Sequence, residues 1–119
     1  MQESIKLKLS EEQQELLKQD PNQISAVINE VIPVFSDQIG YMLQAYHPRQ
    51  KVSEVKVIAG SASSLDNATV SLKISYVIEE FSACSAVDIE DKASMPVSIA
   101  TDKENGELTL TGEYWPSLD

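Results

Sequence analysis

Between Ile24 and Tyr46 the apolar residues recur at helical spacing, and the second half of the chain alternates apolar and polar residues at strand spacing. Few architectures accommodate both. Ile24, Val27, Ile28, Val31, Ile32, Phe35, Ile39, Met42, Leu43 and Tyr46 fall on one stripe, as an amphipathic helix of about six turns requires. Gln23, Asn29, Glu30, Ser36, Asp37, Gln38 and Gln44 fall mainly off that stripe. Pro33 lies within the run. Its ring displaces the hydrogen bond to the Asn29 carbonyl and predicts a kink. The apolar phase passes Pro33 without a slip, so the pattern predicts one bent helix, ended by His47-Pro48.

Two shorter elements precede it. Ser4 to Leu9 alternates strictly, with Ile5, Leu7 and Leu9 on one face and Lys6 and Lys8 on the other, which predicts a half-buried strand. Ser10, followed by Glu11, Glu12 and Gln13, has the form of a capping box with acids in the first helical turn. That first helix is short. Asp20-Pro21 interrupts it and restarts the helical path, with Asp20 as N-cap and Pro21 at the first position.

Strands are predicted beyond the helix. Val55, Val57 and Ala59 alternate with Glu54, Lys56 and Ile58, and residues 60–67 form a small polar loop. The clearest strand has Val70, Leu72, Ile74, Tyr76 and Ile78 on one face. Ala83 to Ile89 and Met95 to Ile99 read as two further strands, and Leu108 to Gly112 as the last. Asn105-Gly106 between the final two is a hairpin signal. The expected fold is α+β: an N-terminal strand, a short helix and a long Pro-kinked helix packed on one face of a 4–5 stranded antiparallel sheet, a single domain over residues 1–119. The element order matches the cystatin-like arrangement, as an analogy of architecture alone. The opposite sheet face is polar but for Ile58 and Val77, so it is expected either to meet water or to form half of a homodimer interface.

Charge is distributed unevenly. The chain carries 19 acidic and 9 basic residues, a net charge of −10. Residues 1–75 hold nine acids against seven bases, whereas residues 76–119 hold ten acids against Lys92 and Lys103 alone. A field of that sign repels nucleic acid and anionic membranes and attracts basic proteins, although acidity also serves solubility. No run approaches the roughly 20 apolar residues of a membrane span, the first ten residues have no signal-peptide pattern, and Cys84 is the only cysteine. The cytoplasm is the expected location.

The residues argue against several chemistries. A Ser-His-Asp or Cys-His arrangement needs a histidine base. His47, the one histidine, is placed for a capping role at a helix end. Cys84 lies in an acidic neighbourhood that disfavours a reactive thiolate. One histidine and one cysteine cannot furnish a zinc site, and neither residues 88–91 nor residues 102–107 have the calcium-loop spacing. Four isolated glycines provide no phosphate cradle. No cofactor or metal is expected, and no enzymatic activity.

Three functions remain open. The first is a non-enzymatic module whose acidic C-terminal surface binds or inhibits a basic partner protein, as immunity proteins and phage-encoded inhibitors do. Asp88, Glu90, Asp102, Glu104, Glu107 and Glu113 would supply the charge, and Tyr114 and Trp115 the aromatic anchors, unless those two aromatics simply close the end of the sheet. The second is an apolar ligand pocket between bent helix and sheet, bordered by Phe35, Met42, Tyr76 and Trp115. The third is a structural homodimer joined through an edge strand.

Overall fold

The computed structural model describes residues 1–66, 68–82 and 87–116, and for residues 81, 82 and 87–89 the backbone alone. It has the α+β architecture predicted from the sequence. Strand β1 (Ser4–Lys8) leads into helix α1 (Glu11–Gln19), a 3-10 turn (Pro21–Gln23), and helices α2 (Ile24–Val34) and α3 (Ser36–Gln44). Strands β2 (Lys51–Val57), β3 (Ser63–Ser64), β4 (Thr69–Ser82), β5 (Val87–Asp102) and β6 (Glu107–Thr111) follow. The antiparallel sheet runs β1-β6-β5-β4-β2, with β3 added to β4. The helical segment therefore crosses one face of the sheet from one edge strand, β1, to the other, β2.

Local chemistry explains the helix boundaries. Ser10 accepts a hydrogen bond from the Gln13 amide at 3.1 Å, and the Gln13 side chain accepts one from the Ser10 amide at 3.0 Å, completing the capping box. Asp20 accepts from the Asn22 amide, with Pro21 at the first position of the turn. The long helix divides at Phe35 (φ −102°, ψ 19°), two residues beyond Pro33. Phe35 still donates to the Val31 carbonyl at 3.1 Å and accepts from the Ile39 amide at 3.0 Å, so the helical path bends without losing its phase. Val27, Ile28, Val31, Ile32, Ile39, Met42, Leu43 and Tyr46 are buried, and Ile24 and Phe35 pack at the margin. They meet Leu7, Leu72, Ile74, Val97, Ile99, Leu108 and Leu110 from the sheet. At roughly 1.5–3 kcal/mol per fully buried large side chain, this layer dominates stability.

Three strand expectations are corrected. The two strands anticipated over 83–89 and 95–99 are replaced by one, β5, running unbroken from Val87 to Asp102, while residues 83–86 lie outside the described residues. Pairing along the whole of β4 holds β5 continuous, from Thr69↔Ala100 to Ser82↔Val87, and carries it through residues 90–94, which lie between the two anticipated strands. The loop over 60–67 contains the short strand β3. Strand β2 begins at Lys51 and ends at Val57, so Ala59 is outside it.

The shift in β2 has a physical cause. Val52, Val55 and Val57 all pack against the core, yet Val52 and Val55 are three apart and cannot share a face of a regular strand. A bulge between Ser53 and Lys56 restores the phase: Ser53 faces Val77 and Lys56 faces Ser75, leaving Glu54 and Val55 opposite Tyr76. Glu54 adopts φ +53° to do so, the one non-glycine residue with positive φ among the described residues. That backbone shape ordinarily calls for glycine.

Candidate functional site

The sequence-predicted acids occupy three places. Asp102, Glu104 and Glu107 surround the β5–β6 hairpin turn, where Gly106 takes φ +63°. Asp102 is committed to the turn itself: its carboxylate accepts from the Asn105 amide at 3.2 Å and from the Asn105 side chain at 2.8 Å. Those bonds, helped by nearby Lys6, hold it below the usual carboxylate range. Glu107 faces Lys8 across the β1–β6 ladder, and the Lys8 ammonium donates to the Asn105 carbonyl at 2.8 Å. Lysines from the start of the chain thus share this end of the sheet with its acids.

Glu90 lies at the other end. Between Glu90 and Asp102 are twelve steps of β5, roughly 40 Å of strand. Pairing of β2 with β4 stops at Lys51↔Glu79, and β6 reaches only as far as Ser98 on β5. Beyond those limits β4 and β5 pair only with each other, as a two-stranded arm that accounts for part of the 57 Å long axis. Residues 79–91 contain Glu79, Glu80, Asp88, Glu90 and Asp91 and no lysine or arginine. Glu79 stands directly opposite Glu90, a like-charge pairing that weakens a ribbon, with Lys51 of β2 on its other side. The single acidic patch expected from the sequence is therefore divided between the hairpin turn, the arm and the Glu113 region.

Glu113 belongs to a third group, built around aromatic rings. Tyr46, at the end of the helical segment, accepts a hydrogen bond from the Glu3 amide at 2.9 Å and donates to the Glu113 carbonyl at 2.8 Å. The Trp115 ring packs edge-on against Tyr46 at 5.0 Å and against His47 at 5.4 Å, and its indole N–H donates to the Glu113 carboxylate. Of the two C-terminal aromatics, Trp115 packs on the body while Tyr114 is exposed. His47 Nε2 lies 2.9 Å from the Tyr76 hydroxyl. The histidine thus joins a partly buried aromatic cluster, where a proton on the ring is disfavoured. Burial holds its pKa below the ordinary value, with a hydrogen bond to Gln50 opposing the shift. Burial pushes Tyr76 up, reinforced by the Glu113 carboxylate and Tyr46.

A pH dependence follows. The unfolded chain takes up a proton near pH 6.5, and the folded chain only at lower pH. The contribution of neutral His47 is therefore complete above about 6.5 and is lost as pH falls through the folded value. Urea midpoints measured from pH 7.5 down to 5 should decline in this window, and the decline should flatten in His47→Gln. An unchanged slope in that variant would assign the effect to another group.

Met42 and Tyr76, expected to border a ligand pocket, are packed in the core. The larger grooves lie elsewhere: one between α3 and β2 and one between the start of α2 and the β3–β4 region. Among the described residues no three His, Cys, Asp or Glu side chains gather as a metal site, and no helix is long and apolar enough to cross a membrane. Cys84 lies outside the described residues. Residues with no sequence signal prove to be structural pivots. Gln44 donates to the His47 carbonyl at 2.7 Å and to the Gln50 carbonyl, and accepts from the Val52 amide at 3.0 Å, tying α3 to β2. Comparison with protein-family models, with curated proteins and with solved structures returned no match, so the cystatin-like analogy gains no support from a neighbour.

Proposed function

We propose that this chain is a non-enzymatic protein-binding module whose contact element is the acidic β4–β5 arm, and that its partner is a basic protein. The observation that carries this reading is the contrast between the two ends of the sheet. The hairpin turn carries its acids among Lys6, Lys8 and Lys103, while Glu80 and Asp88 lie where β4 and β5 pair only with each other, and Glu79, Glu90 and Asp91 lie at the base of that ribbon, where Lys51 of β2 is the one base paired alongside. A cationic surface brought to the arm relieves the Glu79–Glu90 repulsion and is steered there by the field. If the partner's basic surface is a nucleic-acid or substrate site, occupation by the arm inhibits it.

The test begins with a partner captured on the intact chain. Glu80, Glu90 and Asp91 are all exposed, so the combined Glu80→Gln, Glu90→Gln and Asp91→Asn variant should fold normally. It is expected to associate about tenfold more slowly at low salt and to show a weaker salt dependence. Glu104→Gln with Glu107→Gln, at the opposite end, should change the rate less than about twofold. Equal effects from the two variants, or a larger one from the turn, would remove the arm from the interface.

A further inference from the structure

We infer a second binding site, separate from the arm: the groove between α3 and edge strand β2, which fits a short extended peptide bearing a lysine or arginine. The groove encloses about 470 Å³. Its walls are Gly40 and Tyr41 on α3 and Val52 to Val55 on β2, and its two charged lining residues, Asp37 and Glu54, are both acidic. Tyr41 is 83% exposed, an aromatic face against which a cationic or apolar side chain can pack. Gln44, the last residue of α3 and part of the lining, donates to the His47 carbonyl and accepts from the Val52 amide, so the two walls are tied together and the occupant need not pay for ordering them.

Two residues that line the groove are poor local choices that packing does not require. Gly40 sits inside a helix, where glycine is unfavourable relative to alanine. A Cβ there would lie 3.6 Å from the Val55 side chain, an ordinary contact. Glu54 holds a left-handed backbone at the bulge, where glycine would relax it. Both exceptions open on the same groove: Gly40 removes a side chain from its wall, and Glu54 sets a carboxylate at its rim. Local strain and missing bulk concentrated on one concavity mark a functional surface. Helix α3 has nine residues, about 13 Å, which spans roughly four residues of an extended peptide. The acidic rim selects a cationic occupant over an acidic one.

The experiment uses the full chain carrying the arm-neutralising substitutions Glu80→Gln, Glu90→Gln and Asp91→Asn, so that attraction to the arm does not enter. The probes are acetyl-(Lys-Val)4-amide and acetyl-(Glu-Val)4-amide, titrated while backbone amide signals are followed by NMR. Saturable shifts are expected at Gly40, Tyr41 and Val52 to Val55 with the cationic peptide only. Gly40→Ala and Glu54→Gly should each raise the thermal midpoint by about 2–5 °C yet weaken the peptide at least fivefold, a combination that a purely structural role does not produce. Tyr41→Ala should weaken it similarly with the midpoint unchanged. Undiminished binding by Gly40→Ala and Glu54→Gly, equal binding of the acidic peptide, or shifts centred outside the groove would overturn the inference. So would groove signals that move with protein concentration in the absence of peptide, which would assign the surface to a second copy of the chain. Failure here leaves the arm reading intact, because the arm is neutralised throughout.

Discussion

Gly112→Ala is expected to destabilise the fold by about 2–4 kcal/mol, the combined cost of overpacking and of weakened buried hydrogen bonds. A Cβ at position 112 would lie 2.6 Å from the Tyr46 hydroxyl oxygen and 3.2 Å from the Met95 sulfur. The hydroxyl has no free direction in which to retreat, being held by the Glu3 amide and the Glu113 carbonyl. Gly112 itself donates to the Glu3 carbonyl at 2.9 Å and accepts from the Gln2 side chain at 3.1 Å, and the Trp115 amide donates to the Met1 carbonyl. The substitution therefore strains the clasp that joins the first three residues to residues 112–115. Tyr46→Phe removes the nearest clashing atom, so the double variant should be less destabilised than the sum of the two single variants in a urea-denaturation cycle. Strict additivity would show that the clash is absorbed elsewhere.

Ile39→Ala carries the second large expectation, a loss of about 2–5 kcal/mol. Ile39 is fully buried one turn past the bend at Phe35, and its amide bonds the Phe35 carbonyl. A loss of this size requires that α3 continue the apolar stripe of α2 into the same core. Val34→Ala and Tyr41→Ala, at positions 74% and 83% exposed on the same helical segment, should stay within about 0.5 kcal/mol. If Ile39→Ala were as mild as those two, α3 would not be docked as described.

Periodicity made the helical half of this protein legible, because a helix is specified by residues three and four apart and its caps by immediate neighbours. Ser10, Asp20-Pro21, the ten-residue stripe and the Asn105-Gly106 turn all stand where their local chemistry puts them. The sheet was less legible wherever a partner strand overrode the local pattern. Residues 90–94, left between two strands by the sequence pattern, are held in β5 by β4, and the spacing of Val52 and Val55 makes sense only once a bulge is seen. Trp115 and His47, 68 positions apart in the chain, meet in one cluster that neither segment announces.

The candidate sites divide along the same line. The sequence determined how much negative charge residues 76–119 carry, ten acids against two bases. Which acids lie among lysines at the hairpin turn, which lie along the β4–β5 ribbon, and that Gly40 and Glu54 line one groove were decided only by the tertiary structure. The reason is physical. Helical phase and capping are interactions across a few bonds, whereas charge neutralisation and groove shape depend on residues brought together through strand pairing, which composition and spacing do not encode.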